Sequence, residues 1–266
     1  MTDQPEVPSA RFGQEGGELS YGKYLRVPEL LRLQTLLSDP QAHDELLFII
    51  VHQTYELWFR QILFELESVR ERLFAGEIRS ARHYLTRVHA IERVMVEQLA
   101  VIETMSPQEF LEFRHNLAPA SGFQSVQFRE IEALSGLSEP GLAVHLGASP
   151  EELSRLHRRH SEPTLWNAFC SAMERSGYPM PPDDPDVRRK SLVEMAWAED
   201  KTLWDLSDDL LGHDELFGWW RQRHVLMVER QIGSKSGTGG SAGAPYLRST
   251  LGKRFYPELW DLRSYL

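Results

Sequence analysis

One histidine lies within the most apolar stretch of the chain, and this stretch constrains the fold more than any other feature. Residues 46–51 read Leu-Leu-Phe-Ile-Ile-Val, His52 follows them directly, and Trp58 and Phe59 continue the apolar character. A helix that is apolar on most of its faces is buried inside a protein. Because burying an unpaired polar group costs about 1–3 kcal/mol, His52 needs a hydrogen-bond partner, a metal or a ligand. The plainest partner is a backbone carbonyl.

Helical periodicity dominates the chain, and strand signals are nearly absent. Apolar residues recur every three or four positions over residues 81–105, and residues 44–74 are also predicted to be helical. The chain has 266 residues, 41% of them hydrophobic, which is enough for a sizeable core. We therefore predict an all-α fold of long buried helices in a single domain, residues 19–266. The preceding segment, residues 1–18, is predicted to be mobile or to lie on a neighbouring chain.

Several helix ends are marked by local sequence. Ser106 and Ser149 are each followed by proline and, three residues on, by glutamate, which predicts a capping box at both helix starts. Gly233 is predicted to end a helix that begins near Glu215. A last short helix is predicted at about residues 256–265. The glycine-rich loop after Gly233 therefore lies between two ordered segments.

Composition and charge argue against several classes of function. A net charge of −10, with no Lys/Arg stripe interleaved with aromatics, argues against a nucleic-acid partner. No apolar run approaches the roughly 18 residues of a membrane span, and the polar N-terminus lacks the hydrophobic region of a secretion signal. Cys170 is the single cysteine, which suits a cytoplasmic protein and is predicted to pack in the core.

The tripeptide His-Asp-Glu occurs at residues 43–45 and again at residues 213–215, which invites a metal-site interpretation. Neighbouring helical residues point in different directions, so three in a row cannot converge on one ion. We interpret both tripeptides as acidic residues at a helix start, where the helix dipole favours them.

Two stripes of residues could bind a ligand. Phe48 and His52 are four residues apart on one helix face, and together with Val51 they would form a wall for a flat molecule. Offsets of four and seven place Arg114 on one stripe with the apolar residues Phe110 and Leu117. An arginine on an apolar stripe requires an anion. That anion is either a ligand carboxylate, which matches the guanidinium fork, or a protein Asp or Glu.

A second histidine and the loop after it form further candidates. His224 lies four residues from both Trp220 and Val228, and it is either a satisfied core side chain or an axial metal ligand. The glycine-rich residues 233–243 do not match the phosphate-binding pattern, so a nucleotide is not predicted. This loop is either a flexible linker or a ligand contact, in which Thr238 supplies a hydroxyl and glycines let the backbone approach.

Taken together, these segments resemble the tryptophan 2,3-dioxygenase family. They occur in the family's order, span about residues 19–251, and match least well over residues 137–206. The matching strings are residues 21–25, 43–58, 103–107, 110–114, 119–125, 220–224 and 232–243. The resemblance implies an all-helical homotetramer with one haem b per chain.

The resemblance also implies a role for each candidate on the haem side of the pocket. His224 corresponds to the proximal ligand of the haem iron, and Ser121 lies near the haem edge. His52 corresponds to the distal histidine that hydrogen-bonds the indole N–H. These roles give both histidines a ligand partner in place of the core alternatives.

On the substrate side, the resemblance implies that Phe48 stacks against the indole ring and that Arg114, with Phe110 beside it, binds the carboxylate. Thr238 would hold the ammonium group together with a haem propionate. Val51 and Leu117 join the substrate pocket through their spacing on the two stripes. The residues that would reach a neighbouring chain's pocket are Tyr21, Tyr24 and Leu25.

The implied reaction is the oxidative opening of the indole ring of L-tryptophan by ferrous haem and O₂, which gives N-formylkynurenine. One alternative is a relative in secondary metabolism that inserts a single oxygen into a substituted tryptophan, and it would use the same pocket residues. Another is a haem or tryptophan sensor without turnover. The presence of both His52 and the carboxylate-binding Arg114 argues against a sensor.

Overall fold

A computed structural model describes residues 19–137, 139 and 146–266 of the chain. The chain divides into two compact units, residues 1–36 and residues 37–266. Helices and turns, but no β-strand, occur in the described ranges, which confirms the all-α prediction. The segment 1–18, predicted to be mobile, lies outside the described residues. None of the helices within those ranges is long and apolar enough to cross a membrane.

The described part of the first unit contains two short helices. Helix α1 spans Tyr21–Leu25, and the hydroxyl of Ser20 accepts a hydrogen bond from the backbone N–H of Lys23 at its start. Helix α2 spans Val27–Leu30. Between them Arg26 adopts a left-handed conformation with φ 52°, which separates the two helices.

Long helices form most of the second unit. Its elements are α3 (Glu45–Phe74), α4 (Ile78–Ile102), α5 (Pro107–Leu117), a 3₁₀ turn (Gly122–Gln124), α6 (Val126–Ser135), α7 (Pro150–Ser161), α8 (Leu165–Arg175), α9 (Pro185–Trp197), α10 (Thr202–Ile232), α11 (Ala244–Ser249) and α12 (Pro257–Leu262). The predicted capping boxes at Ser106 and Ser149 are confirmed at the starts of α5 and α7. Cys170 on α8 is partly buried and packs against the main core, as predicted.

Helices α3 and α4 form an antiparallel hairpin that supplies much of the core. The connection between them, residues 75–77, is too short to allow any other arrangement. Three hydrogen bonds set the register: Tyr55 Oη to the Met95 carbonyl, Gln98 Nε2 to the Val51 carbonyl, and Arg87 Nη1 to Glu65 Oε1.

Helix α10 lies along α4 and runs in the same direction. The Arg82 guanidinium bonds Asp209 near the start of the contact, and Arg223 bonds the Val96 carbonyl near its end. The helices approach closely at Gly212, where a Cβ atom would lie 3.2 Å from Cε1 of His89. A larger residue at this position would require a small shift of the His89 ring or of α10.

Two expectations about α10 need correction. The helix ends before Gly233 as predicted, but it begins at Thr202 rather than near Glu215. His213 and Asp214 are therefore buried in the middle of the helix, and they are not residues of a helix start. Their partners come from elsewhere in the chain: Glu92 Oε1 lies 2.6 Å from His213 Nδ1, and Asp214 accepts three hydrogen bonds from residues after α11. The helix-start interpretation holds for residues 43–45, which open α3.

Candidate active site

A cavity lies between α3, α5, α6, α10 and the loop that follows α10. It contains about 1530 Å³ of space that no protein atom fills, part of it open to solvent. Its wall is mainly apolar with a few convergent polar groups, which is typical of a small-molecule or cofactor site. The residues predicted for the site that line this cavity are Phe48, Val51, His52, Phe110, Arg114, Ser121, His224 and Thr238.

Four other predicted residues do not line this cavity. Leu117 is partly buried, and its side chain packs against the main core. Tyr21, Tyr24 and Leu25 belong to the first unit and are 79%, 71% and 45% exposed. Their contact with a neighbouring chain stays a prediction.

His52 presents one free nitrogen to the cavity. Its Nδ1 lies 2.7 Å from the backbone carbonyl oxygen of Phe48, one helical turn earlier in α3. A carbonyl only accepts hydrogen bonds, so Nδ1 carries the proton. Burial lowers the pKa of His52, and this outweighs the bond to Phe48 and the nearby charge of Glu56, which both raise it. The ring is therefore neutral, and its Nε2 is a hydrogen-bond acceptor.

Aromatic rings form a wall beside His52. The Phe48 ring centroid lies 4.1 Å from that of His52 and 5.8 Å from that of Phe110, with which it stacks at 25°. Phe113 meets the Phe48 ring edge-on at 5.6 Å. A flat aromatic ligand can pack against such a wall while its polar edge reaches Nε2 of His52.

Arg114 lies on α5 without a carboxylate partner. Among the ion pairs of the described residues, none includes Arg114, so the protein Asp or Glu that the sequence left open is not seen. The Nη2 of Arg114 donates to the carbonyl of Ser236, and its buried Nε has no hydrogen-bond partner among the described residues. A half-buried guanidinium with a spare donor suits a ligand carboxylate.

The glycine-rich loop packs against the cavity. Thr238 Oγ1 donates to the backbone carbonyl of Ala120 at 2.6 Å, which ties the loop to the segment before the 3₁₀ turn. The contact is close, because a Cβ atom on Gly239 would lie 2.6 Å from Cβ of Ser121. Only glycine fits at this position without moving the backbone. The loop is therefore a packed part of the wall, in contrast to the flexible-linker alternative.

His224 lies on α10, and its ring is neutral. Burial, and to a smaller extent the neighbouring His52, lowers its pKa from 6.5 to about 4. Its ring stacks on Trp220 with centroids 5.0 Å apart and an angle of 9°. Within the described residues, neither ring nitrogen of His224 forms a hydrogen bond, so a lone pair is available to a metal. No three His, Cys, Asp or Glu side chains within those ranges are close enough to hold a metal ion themselves.

Two further residues that the sequence did not indicate line the cavity and carry a donor without a partner. They are Arg129 and Tyr246, whose buried Nε and Oη have no hydrogen bond in the described part of the chain. Arg129 lies over the Phe123 ring at 5.1 Å, and the Tyr246 ring is 5.4 Å from the same ring. The stripe argument used for Arg114 does not single out Arg129, because polar Ser125 and Glu132 lie on its helix face, and Tyr246 carries no local signal either.

The chain is similar to proteins of one known family. A family profile described as Tryptophan 2,3-dioxygenase matches residues 6–177 and 192–266. A tryptophan 2,3-dioxygenase of a Nocardioides species is 55% identical over 264 residues, which cover 96% of this chain and 97% of that protein. The proteins of that name from Herpetosiphon aurantiacus and Myxococcus xanthus are 43% and 37% identical, over 92% and 94% of this chain and 98% and 90% of theirs.

Proposed function

The chain belongs to the tryptophan 2,3-dioxygenase family, and from this we propose that it opens the indole ring of L-tryptophan with O₂ to give N-formylkynurenine. The observation that carries the proposal is the convergence of three groups on one cavity. These are the acceptor nitrogen of His52, the unpartnered imidazole of His224 and the guanidinium of Arg114.

The residues of the cavity fit haem b. His224 is neutral and has a free nitrogen for the iron. The unpartnered donors of Arg129 and Tyr246 suit the acidic substituents of the macrocycle, because buried donors need partners. Ser121, across from Gly239, lies on the same wall and is proposed to contact the haem edge. When bound as ferrous haem, the cofactor supplies the redox chemistry of O₂.

The substrate is proposed to lie against Phe48 and Phe110, with its indole N–H donating to Nε2 of His52. Arg114 binds its carboxylate, and Thr238 orients its ammonium group. A ligand without these charged groups leaves buried polar atoms unpaired, so the site selects the free amino acid over indole itself. The apolar wall and the packed glycine-rich loop exclude water from the reacting ring.

A homotetramer is proposed, in which Tyr21, Tyr24 and Leu25 of one chain reach the pocket of a neighbour. The strong exposure of these large side chains supports this. Helix α3 also exposes apolar residues at spacings typical of helix packing, and these are Leu46, Ile50, Leu57 and Phe64. The molar mass of the protein in solution checks the tetramer, and a stable, active monomer would contradict it. The cytoplasmic location also stays a prediction.

Product analysis under labelled O₂ tests the proposed function. The haem-loaded, reduced protein is given L-tryptophan under ¹⁸O₂, and the product is analysed by mass. N-formylkynurenine with two labelled oxygens is the expected result. A product with one labelled oxygen would favour the monooxygenase alternative, and tryptophan binding without any product would favour a sensor.

A further inference from the structure

Two buried arginines share one glutamate, Glu132, which lines the cavity beside Arg129. Oε2 of Glu132 accepts a hydrogen bond from Nη1 of Arg129 at 2.7 Å, and its Oε1 accepts one from Nη2 of Arg221 at 2.8 Å. The exposed fractions of these side chains are 10% for Arg129, 6% for Glu132 and 4% for Arg221. Both carboxylate oxygens are thus engaged, which fixes the orientation of the carboxylate and of each guanidinium.

This trio carries a net positive charge. Within the described residues, Arg129 and Arg221 form ion pairs with Glu132 and with no other carboxylate. Removing charges from water is unfavourable unless each is paired, and here one positive charge is left over. Arg129 lines the cavity and its Nε has no partner, so the surplus charge faces the ligand space. The arrangement calls for an anionic group in the cavity.

Arg221 does not reach the cavity. Its guanidinium lies over the rings of Phe217 and Phe255, at 5.1 Å and 5.4 Å, and its Nη1 donates to the carbonyl of Lys253 at 3.3 Å. It is absent from the residues that line the cavity wall. Arg221 therefore has no direct contact with a ligand in the cavity, and its hydrogen bond to Glu132 links it to the cavity wall.

We propose that Glu132 and Arg221 are positioning residues, which hold Arg129 in the orientation where its free donor meets an acidic substituent of the haem. This inference rests on the proposed haem site. Arg221 fixes the carboxylate of Glu132 from behind, and Glu132 fixes one edge of the Arg129 guanidinium. Because Nη1 of Arg129 is occupied by Glu132, Nε and Nη2 are left to bind the ligand anion.

An electrostatic role and a positioning role of Glu132 predict opposite effects on haem binding for the substitution Glu132→Gln. Glu132→Gln removes a negative charge, so a purely electrostatic role predicts tighter binding of an anionic ligand. Glutamine also offers one acceptor oxygen in place of two, so one arginine loses its anchor. A positioning role therefore predicts weaker haem retention in the same variant.

The test measures the rate at which ferric haem leaves the loaded protein for excess apomyoglobin. The matched control is Glu130→Gln, because Glu130 lies on the same helix, is equally buried and pairs with Arg155 at 3.6 Å, yet does not line the cavity. Glu132→Gln is expected to lose haem about tenfold faster than wild type, the size of effect typical of a residue that orients a ligand. Glu130→Gln is expected to lose haem at the wild-type rate.

A second variant and a second cofactor sharpen the result. Arg221→Lys keeps the charge but lacks the planar fork, and it is also expected to speed haem loss. Haem b dimethyl ester has no carboxylates, so with it Glu132→Gln should behave like wild type. The proposal is overturned if neither variant exceeds the Glu130→Gln rate, or if the acceleration persists with the ester. A wild-type protein that retains no haem would overturn the haem site itself, and this inference with it.

Discussion

Nδ1 of His52 lies 2.7 Å from the carbonyl oxygen of Phe48, and this contact decides what the imidazole offers a ligand. Burial lowers the pKa of His52 and keeps the ring neutral, so the ring has one N–H, and this N–H donates to the carbonyl. The remaining nitrogen is an acceptor that faces the aromatic wall. His52 can therefore satisfy both interpretations at once: its Nδ1 bonds the backbone, and its Nε2 remains free to bind a ligand.

Replacement of His52 by leucine is expected to weaken binding of L-tryptophan about tenfold, because the indole N–H loses its acceptor. Spectral titration of the haem-loaded protein measures the Kd. The matched ligand is 1-methyl-L-tryptophan, which has no N–H to donate. Its Kd should respond much less to the substitution. Equal losses for both ligands would show that His52 does not receive the indole proton donor.

Arg114→Met is expected to weaken L-tryptophan binding by about ten- to a hundredfold, the range for a lost charged hydrogen bond. Tryptamine, which has no carboxylate, should bind the variant and the wild type with similar affinity. Titrations of both ligands against both proteins give the comparison. If tryptamine binding falls as far as L-tryptophan binding, Arg114 supports the structure of the site and does not bind the carboxylate.

The sequence predicted those site residues that break a local pattern. His52, Arg114 and His224 are polar residues on otherwise apolar helix faces, and the pattern alone required a partner for each. Arg129 was not predicted as a site residue, because the polar neighbours Gln127 and Glu130 make the start of α6 look like a solvent-exposed surface. Its burial depends on contacts with parts of the chain that are distant in sequence.

The predicted start of α10, near Glu215, was wrong for the same reason. Asp214 and Glu215 look like the acidic residues of a helix start, but Asp209 bonds Arg82 and His213 bonds Glu92 of α4. These partners lie more than a hundred residues earlier in the chain. Local sequence cannot reveal a hydrogen-bonded pair of polar side chains whose two members come from distant helices.

Gly239→Ala is expected to raise the KM for L-tryptophan while leaving the absorption spectrum of the bound haem unchanged. The added Cβ would lie 2.6 Å from Cβ of Ser121, so the loop must move and Thr238 loses its bond to Ala120. Gly252→Ala is the control, since nothing lies within 4 Å of its added Cβ. Steady-state kinetics on both variants check this, and equal KM values would argue against a role for the packed loop.

The haem-free protein is expected to lose stability as the pH falls from 6.5 to about 4, the window set by the lowered pKa of His224. In this window the unfolded chain binds a proton that the folded His224 does not, so acid favours unfolding. The full contribution is on the order of 3 kcal/mol at 1.36 kcal/mol for each pKa unit. Urea unfolding at several pH values measures it. His224→Phe should show a shallower decline than wild type, and equal declines would contradict the burial of a neutral ring.

Ligation of haem by His224 is the central claim, and cavity rescue tests it most directly. His224→Gly removes the imidazole from the cavity, and its haem affinity and absorption spectrum are compared with wild type, with and without added imidazole. The account predicts that the variant loses tight haem binding and that added imidazole restores both the binding and the wild-type spectrum. A His224→Gly protein that keeps haem tightly, with an unchanged spectrum and no response to imidazole, would contradict the account.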